Sequence, residues 1–285
     1  MGGGAPGGVI HLCGRRWAGS ALESVFEPMR WLLLQQELGR WRKAGRKPVL
    51  WWRDDDARAP SAGLDRLLGL AAAHATPVTL AVIPDGDLEA LGERLAGEAL
   101  VSVAQHGVDH QNRREGKAAG EFPHAWMRIR VATQMRAGWA RVSGLPGATP
   151  VFVPPWNDVH PELPAVLQDC GYLGWSAWAE TAPLEKVPRL DAHIDVLRWR
   201  GGARFRGEGR ILDRLRELLA ERRQAGLWSA PVGLLTHHLD HDEAAWRFLD
   251  RFLAWTAASG DITWGALPDL LAELPATISP AAWKG

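Results

Sequence analysis

Cysteine is scarce in this chain, and neither sign of charge is in excess. Only Cys13 and Cys170 occur among 285 residues, and Cys13 lies in a glycine-rich stretch. This argues against a disulfide framework and favours a reducing compartment. Lysine plus arginine and aspartate plus glutamate each number 33, so the formal charge is zero. With a balanced charge, nothing indicates the strongly basic surface that is typical of nucleic-acid-binding proteins and of proteins attracted to anionic membranes.

Long apolar runs are also absent. No run approaches the roughly 18 residues that a membrane-spanning helix needs. The first eight residues are mostly glycine and lack the basic start and apolar core of a secretory signal peptide. We therefore expect a cytoplasmic protein with no membrane partner and no nucleic-acid partner.

Tyrosine occurs once and phenylalanine six times, whereas tryptophan occurs sixteen times. Indole rings offer large, flat faces with a polar edge, and such faces suit the stacking of sugar rings. The excess of tryptophan is therefore a weak indication of a carbohydrate ligand.

Short apolar runs alternate with helical patterns along most of the chain. The runs are 48–52, 77–83, 100–105, 151–153, 174–178, 194–199, 232–236 and 262–267. Helical periodicity lies at about 61–74, 86–97, 125–142, 161–170, 209–225 and 243–258, and Pro28 indicates the start of an earlier helix. This alternation predicts an α/β fold, a (β/α)7–8 barrel of the irregular or incomplete TIM-like kind. We expect a disordered leader at 1–14, a helical extension at 15–45, the barrel at 46–275 and a tail at 276–285.

Polar or conformationally rigid residues follow four of these runs. They are residues 54–56 after the first run, His106 and His110 after the third, residues 154–157 after the fourth, and residues 236–238 after the seventh. In a (β/α) barrel the active site is built at the carboxyl ends of the strands, so these groups are expected to meet on one face.

Asp54, Asp55 and Asp56 repel one another, and their burial is costly unless a cation compensates the charge. A solvated acidic turn that caps the next helix is the alternative interpretation. His106 and His110 have the spacing that brings two imidazoles together in a helical turn. The two signals together favour a divalent-metal site. Two histidines and one carboxylate suit Zn²⁺ best, and Co²⁺, Ni²⁺ or Fe²⁺ would also fit.

Four short motifs in this order resemble the polysaccharide deacetylase family, the NodB-homology domain of carbohydrate esterase family 4. The resemblance covers residues 46–275. The motifs are Arg53-Asp54-Asp55-Asp56, the H-x-x-x-H of His106 and His110, Pro154-Pro155-Trp156-Asn157, and Leu235-Thr236-His237.

The resemblance implies a metal-dependent hydrolase that removes an N- or O-acetyl group from a saccharide or a related small molecule. It implies that Asp56, His106 and His110 hold the metal, and that Asp55 is the general base. The same resemblance makes His237 the general acid and gives the Trp156 backbone N–H to the oxyanion hole. Asp54, Pro155, Asn157 and His238 are expected to bind substrate. A second register, with Asp54 as base and Asp55 as ligand, stays open, and His238 is the alternative acid.

One departure from the family pattern concerns the base. The family arginine before Pro-Pro is Val153 here, and that arginine normally orients the catalytic carboxylate. Arg53 is the candidate to replace it, and Asn157 stands where glycine is common. Two other functions are therefore kept: an amidase acting on a small non-sugar amide, and a catalytically silent protein that binds metal or carbohydrate.

Overall fold

The computed structural model describes residues 18–116, 118–181 and 187–273. Its helices are α1 Ala18–Lys43, α2 Ala62–Ala73, α3 Leu88–Leu95, α4 Arg128–Val142, α5 Leu163–Asp169, α6 Glu208–Ala225, α7 Glu243–Ser259 and α8 Leu267–Glu273. Its strands are β1 Val49–Ala57, β2 Val78–Val82, β3 Val101–His106, β4 Ala148–Val153, β5 Gly174–Trp175, β6 Ala192–Asp195, β7 Leu197–Arg198, β8 Arg204–Phe205, β9 Val232–Thr236 and β10 Thr263–Trp264. None of the described helices is long and apolar enough to cross a bilayer.

Seven parallel strands form the wall of a barrel in the order β5, β4, β3, β2, β1, β9, β6. β10 adds a short parallel pairing to the start of β1. The ring closes between β5 and β6, where the Ala192 N–H donates to the Ala177 carbonyl at 2.8 Å and the Ala179 N–H donates to the Ala192 carbonyl at 2.9 Å. This closed but irregular ring confirms the predicted barrel.

Side chains of β1 alternate between the two faces of the wall, as in any strand. Leu50 and Trp52 belong to the large cluster under the surrounding helices. Trp51 belongs to a separate cluster in the barrel interior, formed by residues of strands β2, β3 and β4, of α8 and of the segment before β6; its other members are Ala81, Ala104, Val151, Val153, Leu190, Leu267 and Leu270. The alternation directs Arg53 and Asp55 to the interior as well.

Three boundaries differ from the sequence-based expectation. α1 begins at Ala18 and contains Pro28, so this proline does not mark the start of the helix. β1 continues through the aspartates to Ala57, because a strand can carry polar residues where its face lines a cavity. α8 was not predicted, since seven residues give too few turns for a clear helical period.

Gly233 of β9 lies where two other strands approach closely. A methyl group on its Cα would overlap the Asp191 carbonyl oxygen and the indole nitrogen of Trp51. These two groups are joined by a buried 3.0 Å hydrogen bond, from Trp51 Nε1 to the Asp191 oxygen. The close approach of backbone to backbone here therefore requires glycine.

We expect Gly233→Ala to lower the free energy of unfolding by about 3 kcal/mol, because the overlap forces neighbouring strands apart. Denaturant unfolding followed by circular dichroism would measure this. Gly69→Ala is the matched control: Gly69 is exposed within α2 and has open space around it, so the change should stabilise the protein by about 0.5–1 kcal/mol. Equal effects of the two substitutions would contradict the proposed crowding.

Candidate active site

The three consecutive aspartates occupy three different environments. Asp54 is completely buried, whereas Asp55 and Asp56 both line a cavity at the carboxyl ends of the strands. In a regular strand, neighbouring side chains would face opposite sides. Asp56 has a left-handed backbone with φ of 73°, and the β1–β2 register shifts between Asp54 and Ala57. This local irregularity allows two adjacent carboxylates to face the same cavity.

Asp56, His106 and His110 bring one carboxylate oxygen and two imidazole nitrogens within 4.8 Å of one another. His106 Nε2 lies 3.2 Å from Asp56 Oδ1, and His110 Nε2 lies 3.4 Å from the same oxygen. The other nitrogen of His106, Nδ1, is 2.9 Å from the Val153 carbonyl oxygen. That contact leaves Nε2 facing the carboxylate, as expected for a metal-binding histidine. The donor set fits a divalent transition metal.

The pKa values of this group favour an ionised carboxylate. Burial acts to raise the pKa of Asp56, but the hydrogen bond and charge of His106, together with the charge of His110, hold it well below its usual range. Burial acts to lower the pKa of His106, and its hydrogen bond with Asp56 outweighs that effect and raises it. The cluster thus offers a negatively charged ligand at any physiological pH.

Arg53 forms a buried, two-point ion pair with Asp55. Arg53 Nε lies 2.8 Å from Asp55 Oδ1, and its terminal nitrogen donates to Oδ2 at 3.0 Å. The second terminal nitrogen donates to Ser176 Oγ, just beyond β5, at 2.5 Å. Arg53 is only 1% exposed, so its orientation is fixed from both ends.

His110 is held by a loop that one buried carboxylate organises. Glu121 accepts hydrogen bonds from the backbone N–H groups of Val108, Asp109 and His110, at 2.7–3.0 Å. His110 itself has a positive φ of 55°. The three N–H groups converging on Glu121 hold the loop in this otherwise unfavourable conformation.

The turn after β4 also has an unusual backbone. Trp156 and Asn157 have φ of 53° and 57°. The Trp156 ring is 41% exposed and packs on His110, with ring centroids 4.3 Å apart. Asn157 Oδ1 accepts a 2.8 Å hydrogen bond from the Trp178 N–H, which ties the turn to the end of β5. Pro155, which is expected to contact substrate, is buried in this turn, and Pro154 lines the cavity.

His237 directly follows β9, the strand that pairs with β1, and lines the same cavity. Its ring makes an edge contact with Trp199, at a centroid distance of 4.6 Å. Trp199 Nε1 donates to Asp195 Oδ2 at 2.7 Å, and the Leu197 N–H donates to Asp195 Oδ1 at 2.8 Å. Burial raises the pKa of Asp195, although the charge of His237 acts against this rise. Asp195 and Trp199 were not singled out from the sequence, although both lie in an apolar run whose end could have indicated them.

Asp54 and His238, which the sequence analysis expects to bind substrate, are both buried and do not line the cavity. Asp54 accepts hydrogen bonds from Thr236 Oγ1 at 2.6 Å and from the His238 N–H at 3.0 Å. Its other oxygen is 2.5 Å from His238 Nδ1. Burial acts to raise the pKa of Asp54, but these contacts with His238 and Thr236 keep it lowered. Asp54 therefore joins β1 to the end of β9 and does not face a reactant.

The main cavity encloses about 510 Å³ at the carboxyl ends of the strands. Its wall is formed by Asp55, Asp56, His106, His110, Pro154, Trp156, Asn157, Trp178, Asp195, Trp199, Arg206, Leu235 and His237. The cavity thus brings together the cluster of Asp56, His106 and His110, the Arg53-bound carboxylate and His237, which the sequence placed at separate strand ends.

No protein-family profile matches the chain, and no curated protein matches it. Solved structures do match. A Mycobacterium smegmatis protein assigned as a polysaccharide deacetylase aligns with a TM-score of 0.61 at 16% identity, covering 82% of this chain and 94% of that one. The chain has the polysaccharide deacetylase fold.

Two further structures with this fold align less closely. The family 4 carbohydrate esterase from Streptomyces lividans has a TM-score of 0.50 at 16% identity, over 78% of this chain and 94% of its own. A peptidoglycan deacetylase from Bacillus subtilis has a TM-score of 0.50 at 15% identity, over 79% and 90%. At these identities the likeness establishes the fold, and the chemistry has to be argued from the site.

Glu121→Ala should weaken Zn²⁺ binding about tenfold to a hundredfold, because the loop that presents His110 loses the acceptor for three N–H groups. Competition titration against a chelator would measure the affinity, and a thermal melt would show that the variant is folded. Glu115→Ala, an exposed carboxylate in the same loop region, is the control and should bind Zn²⁺ normally. Unchanged affinity in a folded Glu121→Ala variant would show that Glu121 has no positioning role.

Proposed function

We propose that this protein is a metal-dependent hydrolase that removes an N- or O-acetyl group from a saccharide. The observation that carries the proposal is that one cavity holds the Asp56, His106 and His110 cluster together with an arginine-bound carboxylate, Asp55. A hydrolase needs a cation site and a separate base that does not ligate the cation. A binding protein would need only the first.

Asp56, His106 and His110 would hold the metal, with Zn²⁺ the preferred ion and Co²⁺, Ni²⁺ or Fe²⁺ acceptable to the same donors. When bound, the ion would act as a Lewis acid toward an acyl carbonyl and would acidify water. The chain fixes the ligands before any ion arrives: the Val153 carbonyl orients His106, and Glu121 holds the backbone of His110.

Asp55 is the proposed general base. Its two-point ion pair with Arg53 holds the carboxylate in a fixed orientation, ready to accept a proton from water. Arg53 supplies from β1 the guanidinium that the sequence lacks at Val153. This pairing favours an active enzyme over the catalytically silent alternative. A protein that only binds a metal would not need a buried arginine paired with a carboxylate that is not a ligand.

His237 is the proposed general acid, which passes a proton to the leaving amine or alcohol. It lines the same cavity as Asp55, directly after β9, the strand that pairs with β1, and the Trp199 ring that contacts it is hydrogen-bonded to Asp195. The Trp156 backbone N–H is proposed to stabilise the oxyanion. The positive φ of Trp156 gives its peptide an orientation that ordinary helical or extended residues do not reach.

A saccharide is preferred over a small non-sugar amide because of the cavity walls. Trp156, Trp178 and Trp199 all line the main cavity, and Trp156 and Trp199 are each more than 40% exposed. Their faces can stack on the apolar faces of sugar rings, whereas a small amide would leave most of this aromatic surface in water.

Metal-loaded protein should release acetate from N- or O-acetylated oligosaccharides at near-neutral pH. The His106→Ala, His110→Ala double variant should lose both the bound metal and the activity, since two of three ligands are gone. Elemental analysis and an enzymatic acetate assay would measure the two properties. His124→Ala, an exposed histidine outside the cavity, is the control. Failure of fully metallated protein to release acetate from a broad saccharide panel would exclude the deacetylase function, and release only from small amides would favour the amidase.

Arg53→Lys should lower kcat by roughly 10²-fold with little change in metal affinity, because lysine keeps the charge but cannot hold both oxygens of Asp55. Steady-state kinetics and metal titration would separate the two effects. His237→Ala is the companion variant: loss of the acid should lower kcat by roughly 10²–10⁴-fold with the metal retained. Should Arg53→Lys remain fully active, the role of Arg53 would be structural only.

A further inference from the structure

A second, smaller cavity adjoins the main one. It encloses about 240 Å³ and shares Trp178, Asp195 and Arg206 with the wall of the main cavity. Its remaining lining residues are His193, Ile194, Arg210 and Arg214. We call it the side cavity. A molecule bound in the main cavity could therefore extend directly into a space bordered by three arginines.

The three arginines of the side cavity are poorly compensated. Arg206 donates to the carbonyl oxygens of Asp195 and Leu197, both at 2.7 Å, so its guanidinium is fixed without meeting a carboxylate. Within the part of the chain that the structure describes, no ion pair joins Arg206 or Arg210 to an acidic residue. Arg214 reaches only the half-exposed Glu221, at 3.7 Å.

The wall behind these arginines is positive as well. Arg222 is 7% exposed, and its hydrogen-bond partners are neutral: the Ala230 and Pro231 carbonyls and His193 Nε2. Burial lowers the pKa of Arg222 to about 10, a value at which it still carries its charge at neutral pH. Burial and the charge of Arg222, followed by that of Arg214, push the pKa of His193 well below normal. His193 is therefore neutral and compensates nothing.

The nearby carboxylates are already engaged. Both oxygens of Asp195 accept hydrogen bonds, from the Leu197 N–H and from Trp199. Asp191 is paired with Arg189. The side cavity is therefore lined by three arginines and a single acid, Asp195, whose two oxygens already accept hydrogen bonds. Arg210 is exposed and Arg206 and Arg214 are half-buried, so an anion that enters from outside can reach all three and form charge-assisted hydrogen bonds with them.

We propose that the side cavity binds an anionic group of the substrate, a carboxylate or a phosphate on a sugar next to the acetylated one. This proposal rests on the proposed deacetylase function, since it describes which saccharide the main cavity accepts. The planar guanidinium groups of Arg210 and Arg214 lie one turn apart on α6 and suit the two-point recognition of an oxyanion. Arg206, held by backbone carbonyls, would be the fixed third donor.

Calorimetric binding tests the proposal without requiring turnover. The probes are a neutral N-acetylglucosamine tetrasaccharide and the same tetrasaccharide carrying either a carboxylate or a phosphate at one sugar. Wild-type protein should bind an anionic probe about tenfold to a hundredfold more tightly than the neutral one, and the preference should fall as salt rises. The Arg210→Gln, Arg214→Gln double variant should lose this preference and bind the neutral probe as before. Arg247→Gln, an exposed arginine of α7 outside both cavities, is the control for a change of charge alone.

Each outcome has a definite meaning. Preference for one anionic probe identifies the chemical source of the anion, carboxylate or phosphate. Equal affinities for neutral and anionic probes in wild-type protein, or a preference that survives in the double variant, would overturn the proposal. Tight, arginine-dependent binding without acetate release would support the side cavity and count against the deacetylase function, so the two proposals fail separately.

Discussion

The rest of the barrel interior depends on the buried ion pair between Arg53 and Asp55. Two charges removed from water are costly unless each finds a well-placed partner, and loss of one partner leaves the other uncompensated. Here both come from a single strand and point to the same side. The neighbouring interior residues are small, with Ala81, Ala104 and Val153 among them, and this leaves room for an arginine side chain that is almost wholly buried. The residues that pack the barrel interior therefore also determine where the Arg53–Asp55 pair can lie.

Backbone strain is concentrated around the main cavity. Among the described residues, five non-glycine residues have positive φ, and four of them are Asp56, His110, Trp156 and Asn157. Such conformations cost on the order of 1 kcal/mol or more each and persist only when surrounding contacts impose them. Those contacts are visible: the buried carboxylate of Glu121 beneath one loop, and the hydrogen bond to Trp178 beside another. The strained backbone lowers the free energy of unfolding, and it places the side chains of these four residues around one cavity.

Much of this arrangement could be predicted from the sequence, because strand ends of a parallel barrel share one face. Apolar runs located the strands, and the polar residues that follow them located the site. The sequence alone does not show which of the three adjacent aspartates face the cavity. That depends on which side chains of β1 point to the barrel interior and on the left-handed backbone of Asp56. The burial of Asp54 and His238 follows from their contact with each other across two strands. Glu121 and Asp195 were missed because they act through distant or backbone partners, which leave no local pattern.

The placement of Arg53 has a consequence for how such proteins are found. An arginine that holds the Asp55 carboxylate can lie on the same strand, two residues before it in the sequence, as Arg53 does. It could also lie directly before Pro-Pro, where this chain has Val153. A sequence pattern that requires an arginine directly before Pro-Pro does not match this chain, although its cavity holds a carboxylate, Asp55, that is paired with a buried guanidinium.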